Sequence, residues 1–319
     1  MAANTKIRMA SGLRAMTHGL SWCGAQVGLF EKHGLDVCYA GIEVGGPEAV
    51  AGLTRGERAF CHTGTLPVAE NFLNGGDVVA LLRNTRSHAS QFIASRRELT
   101  TLAQLSEKRV GVLSDVATGQ TSISTRLTVE QGGATATYVA LGNFQNIYNA
   151  LTRGEIDAGA LPIHMRFAGE RRHGWNMFAM IGIESVVPSV FATTRKLIAS
   201  NRGLVMRVVR AYVETIHLFK TQPDVYVPLL QLFLNINDAK AAENLYKLYV
   251  PLFPPAPRVA LSVAGMQSLK DNFSRKYPAA LKLQEADFVD SSFIDELEQG
   301  GFIQRLYAGD PKHGWTVHG

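Results

Sequence analysis

The sequence predicts an α/β protein of two similar lobes followed by a helical C-terminal region. Three observations predict it. Apolar strand-like runs alternate with amphipathic helical patterns through the first two thirds of the chain, which requires parallel-rich sheets covered on both faces. At 319 residues the chain exceeds the usual single-domain length. And the phrase LTRGE is written twice, at positions 53–57 and 151–155, each time followed by Leu-Pro and an aliphatic residue.

Taken in order, Ile7 to Ala10 reads as a strand and Leu20 to Lys32 as an amphipathic helix stopped by Gly34. Val37 to Ile42 is a second strand and Pro47 to Leu53 a short helix. Gly56 then ends that helix, because glycine takes the left-handed conformation that helix ends favour. Phe60 to Thr63 is a third strand, Pro67 to Leu73 a helix with proline in its first turn, and Val78 to Leu82 a fourth strand. After RNTRSHAS the alternation resumes. Phe92 to Ala94, Arg109 to Leu113, Thr137 to Ala140, Ala158 to Ala160 and Phe178 to Ile181 read as strands, the last closing a second sheet. Helices over Gln120 to Gln131 and Phe144 to Leu151 lie between them, Gly154 ends the second, and Pro162 opens another.

ESVVPSVFATTRKL is an apolar, strand-like return. From Asn201 the pattern turns helical: Val205 to Phe219, Val225 to Phe233, Ala239 to Tyr249 and Leu261 to Tyr277. The Pro-rich VPLFPPAPRV interrupts that run, and the polar end, with Gly and His, reads as a loose tail. The repeated LTRGE therefore falls at matching places in two α/β halves, marking equivalent βαβ units.

Bulk properties narrow the function classes. The chain is 46% hydrophobic and 18% charged, the balance of a globular protein with a sizeable core. Net charge is +5 and the sequence pI about 9.1. The basic residues are scattered apart from pairs such as Arg96-Arg97 and Arg171-Arg172, so no nucleic-acid partner is expected; small anions suit the charge better. No apolar run reaches the ~18 residues of a membrane span, so no direct membrane insertion is expected. The N-terminal segment has no apolar core of a secretory signal, and Cys23, Cys38 and Cys61 form no CxxC pair. The expectation is a cytoplasmic protein with reduced thiols, or a periplasmic one whose signal has been removed.

The stretch from Gly19 to Leu81 resembles type II periplasmic solute-binding proteins, in the branch that binds sulfonates, taurine, nitrate and thiamine-pyrimidine precursors. The resemblance rests on Gly28-Leu29-Phe30-Glu31-Lys32, Gly34-Leu35-Asp36-Val37, Gly45-Gly46, Gly56, Gly64 and Pro67. It continues through Val110-Gly111-Val112, Gly119, Ala150-Leu151, Gly154, Ile156-Asp157-Ala158 and Pro162, covering roughly residues 5 to 230. Arg58 departs from it, standing where the family often has Asp. The resemblance implies a type II periplasmic-binding-protein fold, with a ligand cleft between two hinged lobes and a helical C-terminal region. It places the first lobe at 1–88, the second at 89–188 and a return to the first at 189–319, with crossings near Asn84 to Gln91 and Ser185 to Ala192.

In open α/β sheets, ligands bind beyond the carboxyl ends of the strands. That rule selects Gly12, Arg14 and His18; Gly45 and Gly46; His62, Thr63, Gly64 and Thr65; and Arg83 and His88. From the second half it selects Thr118, Gly119, Thr121, Asn143 and His164. DVATGQTS leads into a helix, so its amides and the Thr118 and Thr121 hydroxyls either hold an anion or merely cap that helix. Gly45-Gly46 supplies either backbone donors or a turn needing positive φ. Arg14 and Arg83 either pair bidentately with a carboxylate or sulfonate or lie on the surface. Cys61 reads as a small buried strand-end residue rather than a thiolate nucleophile.

Four of the nine histidines fall on these loops. With no HxH or HxxxH spacing, neither metal nor cofactor is expected. The sequence thus reads as a binder of a small anionic or aromatic organic molecule, presented to an ABC permease if the protein is exported. The alternative is a cytoplasmic decarboxylase or lyase on the same fold, with His62, His18 and His164 as the catalytic set and a His donating a proton.

Overall fold

The computed structural model describes residues 4–85, 91–115, 120–180 and 189–308. The first lobe begins with β1 (Thr5–Ser11), α1 (Leu20–Gln26), α2 (Leu29–Lys32), β2 (Leu35–Ile42), α3 (Gly46–Thr54), β3 (Phe60–Thr63), α4 (Thr65–Leu73) and β4 (Val78–Arg83). The second holds β5 (Gln91–Ser95), β6 (Arg109–Val112), α5 (Gln120–Gln131), β7 (Thr137–Ala140), α6 (Phe144–Arg153), β8 (Ala158–Pro162), α7 (Arg166–His173) and β9 (Asn176–Ala179). Then come β10 (Val190–Thr194), α8 (Arg195–Ser200), α9 (Arg202–Thr221), α10 (Pro223–Leu234), α11 (Ala239–Tyr249), α12 (Val263–Ser274), α13 (Ser292–Gln299) and α14 (Phe302–Tyr307).

Two five-stranded sheets result, in the orders β2-β1-β3-β10-β4 and β7-β6-β8-β5-β9. Strands β1, β2 and β3 are mutually parallel, while β10 runs antiparallel to both β3 and β4. In the second sheet β6, β7 and β8 are parallel and β5 is antiparallel to β8 and β9. The duplicated phrase has a structural basis. Gly56 and Gly154 both end helices with positive φ (72° and 75°), and the strands that follow, β3 and β8, are the middle strands of the two sheets. The outer edge of β4 is covered by the C-terminal segment, where Ala80 exchanges backbone bonds with Phe288 and Asp290. An exposed row of strand amides would invite aggregation.

Several elements differ from the sequence reading. The helix expected over Leu20 to Lys32 is two helices, because Gly28 adopts φ +73° and ends the first. Pro162 does not open a helix; it closes β8 and is followed by a 3-10 turn (Ile163–Met165) that leads into α7. The helix expected after Pro162 is α7, which starts only at Arg166 and is rich in Arg and Glu with a weak apolar stripe. The final strand of the second sheet begins two residues early, at Asn176, and Ile181 lies outside the described residues. Before the tail, α13 and α14 bury Phe293, Ile294, Leu297, Ile303 and Tyr307; residues 309–319 lie outside the description.

The main core lies between the first sheet and α1, α9 and α10, where α9 buries Val205, Val208, Val209, Tyr212, Val213 and Ile216. Helices α1 and α9 approach so closely at Gly24 that a Cβ there would stand 2.1 Å from Thr215 Oγ1. Gly24→Ala is therefore expected to destabilise the fold by about 1–3 kcal/mol through overpacking. Thermal melting should show the loss and its partial recovery when Thr215→Ala is added. An unshifted midpoint for the single variant would show that the helices yield freely.

Candidate functional site

The loops after β1, β2 and β3 meet at the carboxyl ends of the first sheet. Gly12 donates its amide to the His62 carbonyl (2.9 Å), and Gly45 donates to the Gly12 carbonyl (2.9 Å). A Cβ on Gly12 would lie 3.1 Å from the His62 oxygen and 3.3 Å from Gly46 Cα, so a side chain there would press these backbones apart. Gly45 sits at φ +85°, and Gly46 begins α3. The Thr63 hydroxyl donates to the Gly46 carbonyl (3.1 Å), and Gly64 and the buried Thr65 start α4. Of the expected backbone donors, Gly12 and Gly45 use their amides to bind the loops to one another.

The histidines divide into two sets rather than converging. His62 is fully buried below the strand ends, its ring beside Phe191, Tyr212 and His18, with the His18 centroid at 5.6 Å. Both of its nitrogens are taken. Asn84 accepts the Tyr212 hydroxyl on Oδ1 (2.5 Å), so its amide nitrogen faces His62 Nδ1 (3.1 Å) and the Ser189 hydroxyl. Nδ1 therefore accepts, and Nε2 carries the proton to Ser21 Oγ (2.6 Å), which in turn shares a bond with the Tyr39 hydroxyl (2.5 Å). His18, 2% exposed, accepts the Leu13 amide on Nδ1 (3.2 Å). Burial pushes the His18 pKa down to about 3; burial and the neighbouring His18 hold His62 well below its ordinary value. Both rings are neutral parts of the core. Cys61, beside them on β3, is fully buried, and burial pushes its thiol up to about 12, the state of a packed residue rather than a nucleophile.

His164 belongs elsewhere. With Arg14 it lines a cavity of about 850 Å³ between the lobes. Each of three strand-end loops sends its next residues there: Arg14 beyond Gly12, Glu43 ahead of Gly45, and His164 after Pro162. Second-lobe Gln145, Tyr148, Met165, Arg171 and Arg172 form one wall, and the turn between α10 and α11 forms the other. Arg14 donates from Nε to Glu43 (3.0 Å) and from Nη1 to the Phe233 carbonyl (2.6 Å), so it is a clamp within the wall. Glu43 holds a left-handed backbone (φ 66°), a strained setting for a non-glycine residue. Three guanidinium groups face two carboxylates here, and one carboxylate, Asp238, caps α11 through the Ala241 amide. Burial and then the Arg14 charge push the His164 pKa down to about 4, so its imidazole is neutral near pH 7.

The remaining expected residues are placed as follows. Arg83 ends the outer strand β4, two strands from β3, with its amide on the Pro257 carbonyl. Asn143 caps α6 by accepting the Asn146 amide (2.8 Å). Thr121 is buried in the first turn of α5. Thr118, Gly119 and His88 lie outside the described residues. Sequence reasoning missed the Ser21–His62–Asn84–Tyr212 chain, although a tyrosine on the apolar stripe of α9 signals a buried hydroxyl in need of a partner. It also missed the α10–α11 turn.

The lobes also meet through apolar contacts. Leu13 packs into the second-lobe cluster of Phe92 and Leu161, while Ile123 and Leu127 of α5 join Leu66 and Leu269. Among the described residues no group of three His, Cys, Asp or Glu could hold a metal ion, and no helix is long and apolar enough to cross a membrane.

A family model described as NMT1/THI5 like matches residues 16–225. No curated protein sequence matches the chain. Among solved structures, the alkanesulfonate-binding protein SsuA of Xanthomonas axonopodis pv. citri, bound to MOPS, superposes with a TM-score of 0.72 at 16% identity, covering 91% of this chain and all of that one (100%). The ligand-binding component of an ABC-type import system from Staphylococcus aureus, with zinc bound, gives 0.71 at 11% identity over 92% and 99%. The periplasmic nitrate-binding protein NrtA of Synechocystis PCC 6803 gives 0.69 at 11% identity over 98% and 94%. At these identities the likeness is one of fold.

Proposed function

Since the chain belongs to the NMT1/THI5-like family, we propose that it is a solute-binding protein that captures a small organic anion between its lobes and does no chemistry on it. The observation that carries this reading is the inter-lobe cavity, to which both lobes contribute guanidinium groups. A ligand meeting Arg171 or Arg172 on one side and the wall that Arg14 clamps on the other favours the closed form, because only that form offers both contacts. The superposable import components make an ABC permease the natural partner, with export of the chain as the condition. The lobe limits follow the same scheme: 1–88 with 189–319, and 89–188.

The enzyme reading loses its main support. It needed imidazoles presented to a substrate, and the two that come together, His18 and His62, are buried and hydrogen-bonded to the protein. The test is to incubate the protein with a mixture of small carboxylates and sulfonates, wash, and identify what it retains by mass spectrometry. One anion recovered unchanged at a stoichiometric ratio is the expected result. Its affinity should fall about tenfold in the double variant Arg171→Ala, Arg172→Ala, the loss of ~1.4 kcal/mol of charge-assisted bonding. Recovery of a converted product would restore the enzyme reading, and retention of no anion would remove the binding one.

A further inference from the structure

One wall of the cavity lies beyond the family match, which ends at residue 225. That wall is the α10–α11 turn, and its backbone is firmly held. The Phe233 ring packs on Gly19, where a Cβ would stand 2.8 Å from it, and lies 5.6 Å from the Trp22 ring. The Phe233 carbonyl is bonded to Arg14, Asn235 takes a left-handed φ of 55°, and Ile236 donates its amide to the Gln231 carbonyl. Asp238 closes the turn by capping α11. Apart from the Asp238 carboxylate, which is bonded to the Ala241 amide, what this turn presents is uncharged: Leu232, Asn235, Ile236 and Asn237 line the cavity, and Leu232 is 68% exposed.

The facing wall has the opposite character. Arg171 and Arg172 end α7, and Tyr148 stands near them, backed by Trp175 at 5.1 Å and by His173, whose Nε2 lies 3.0 Å from its hydroxyl. The Arg14 corner adds no net charge, because Glu43 pairs with Arg14 at 3.0 Å. The cavity is thus polarised, cationic on the second lobe and, beyond the capping Asp238, apolar with amides on the C-terminal wall. About 850 Å³ is also the size of a site for an organic molecule of many heavy atoms, not for a four-atom inorganic ion.

We propose that the α10–α11 turn is the selectivity wall of this site. It admits an organic anion with an uncharged body several atoms long, whose acid group meets Arg171 and Arg172 while its body covers Leu232. The inference rests on the cavity being the ligand site, and it adds which end of the ligand goes where and which ions are refused.

The test is calorimetry with nitrate, acetate, butyrate and hexanoate. On the wild-type protein each added methylene should tighten binding about fourfold, the transfer free energy of a buried CH₂, and nitrate should bind no better than acetate. Leu232→Asn, a surface change whose melting point checks the fold, should flatten that series. Arg171→Ala with Arg172→Ala should weaken every member by a common factor. A flat series in the wild type, nitrate binding as tightly as hexanoate, or an unaltered slope in Leu232→Asn would each overturn the selectivity wall while leaving anion binding in place. Binding of no member at all would instead remove the anion-binding reading beneath it.

Discussion

Asn84→Ala is expected to cost the fold about 3–5 kcal/mol, far more than a polar truncation at the surface. Three buried groups depend on that one amide: the Tyr212 hydroxyl, His62 Nδ1 and the Ser189 hydroxyl. Each group left without a partner costs about 1–3 kcal/mol, and the site is fully enclosed, so water cannot take the place of the lost amide. Asn84 and Ser189 also bind each other through the backbone, from the Asn84 amide to the Ser189 carbonyl (3.0 Å). That tie joins the end of the first run of lobe-one chain to the start of its return. Urea unfolding followed by tryptophan fluorescence and by circular dichroism measures the loss. Asn84→Asp provides the contrast: its carboxylate still accepts from Tyr212 but faces His62 Nδ1 with a second acceptor, forcing the other tautomer or a protonated ring. A loss below about 1 kcal/mol for the alanine variant would show that the chain of bonds is not a unit.

The second large effect is acid destabilisation that begins well above the usual carboxylate range. His18 and His62 are held neutral in the folded protein, with His18 pushed down to about 3 and His62 well below its ordinary value, and His164 is pushed down to about 4. In the unfolded chain each titrates near 6.5. Below that pH the unfolded state binds more protons than the folded one, so stability falls as pH falls. It is fully present above 6.5 and is lost progressively toward the folded values. Each such group contributes a slope of at most about 1.4 kcal/mol per pH unit; His18 alone removes on the order of 2 kcal/mol between pH 6.5 and 4.5, and His62 adds to the loss in the same direction. The ionisable neighbours of this pair are neutral as well: Tyr39 and Tyr212 are pushed up by burial, and Cys61 to about 12. Among the described residues no carboxylate is bonded to either ring to offset the charge. Unfolding curves collected from pH 7.5 to 4.5 should show this slope, and His18→Gln should reduce it by about one proton's worth. An identical slope in wild type and variant would remove His18 from the account.

Much of the fold was legible because local chemistry and tertiary structure agree. Gly56 and Gly154 ended helices as expected, and Gln120–Gln131, Thr137–Ala140 and Ala239–Tyr249 were read with their bounds, since periodicity coincides with flanking glycines at the first two and with the Asp238 cap and Pro251 at the third. Where the two diverge, the reading failed. Gly28 sits inside a continuous apolar stripe, so the pattern hid the break that its left-handed backbone makes. The helix expected after Pro162, α7, carries one Phe among five charged or histidine side chains, too little apolar periodicity to fix its bounds.

The site was legible only in part, and for a definable reason. The strand-end rule locates loops, so it found the contact between Gly12, Gly45 and Gly46, and it sent Arg14 and His164 to one cavity. It says nothing of which way a side chain turns. His18, in the 3-10 turn after β1, and His62, within β3, turn inward beneath α1 and α9. The opposite wall of the cavity comes from α10 and α11, two helices that no strand-end rule examines.

The position of β10 governs how the chain can be made. The strand lies between β3 and β4, yet it is Val190–Thr194, translated only after the whole of the second sheet. A nascent chain emerging from the ribosome therefore has β3 and β4 ready with no strand to join them, while β5 to β9, a continuous stretch from Gln91 to Ala179, already have one another. The lobe begun first is finished last. Until β10 arrives, two apolar strands of the first lobe keep unpaired edges, and those edges are what other chains can add to. Quality control during synthesis, rather than stability of the finished protein, bears the burden of that interval.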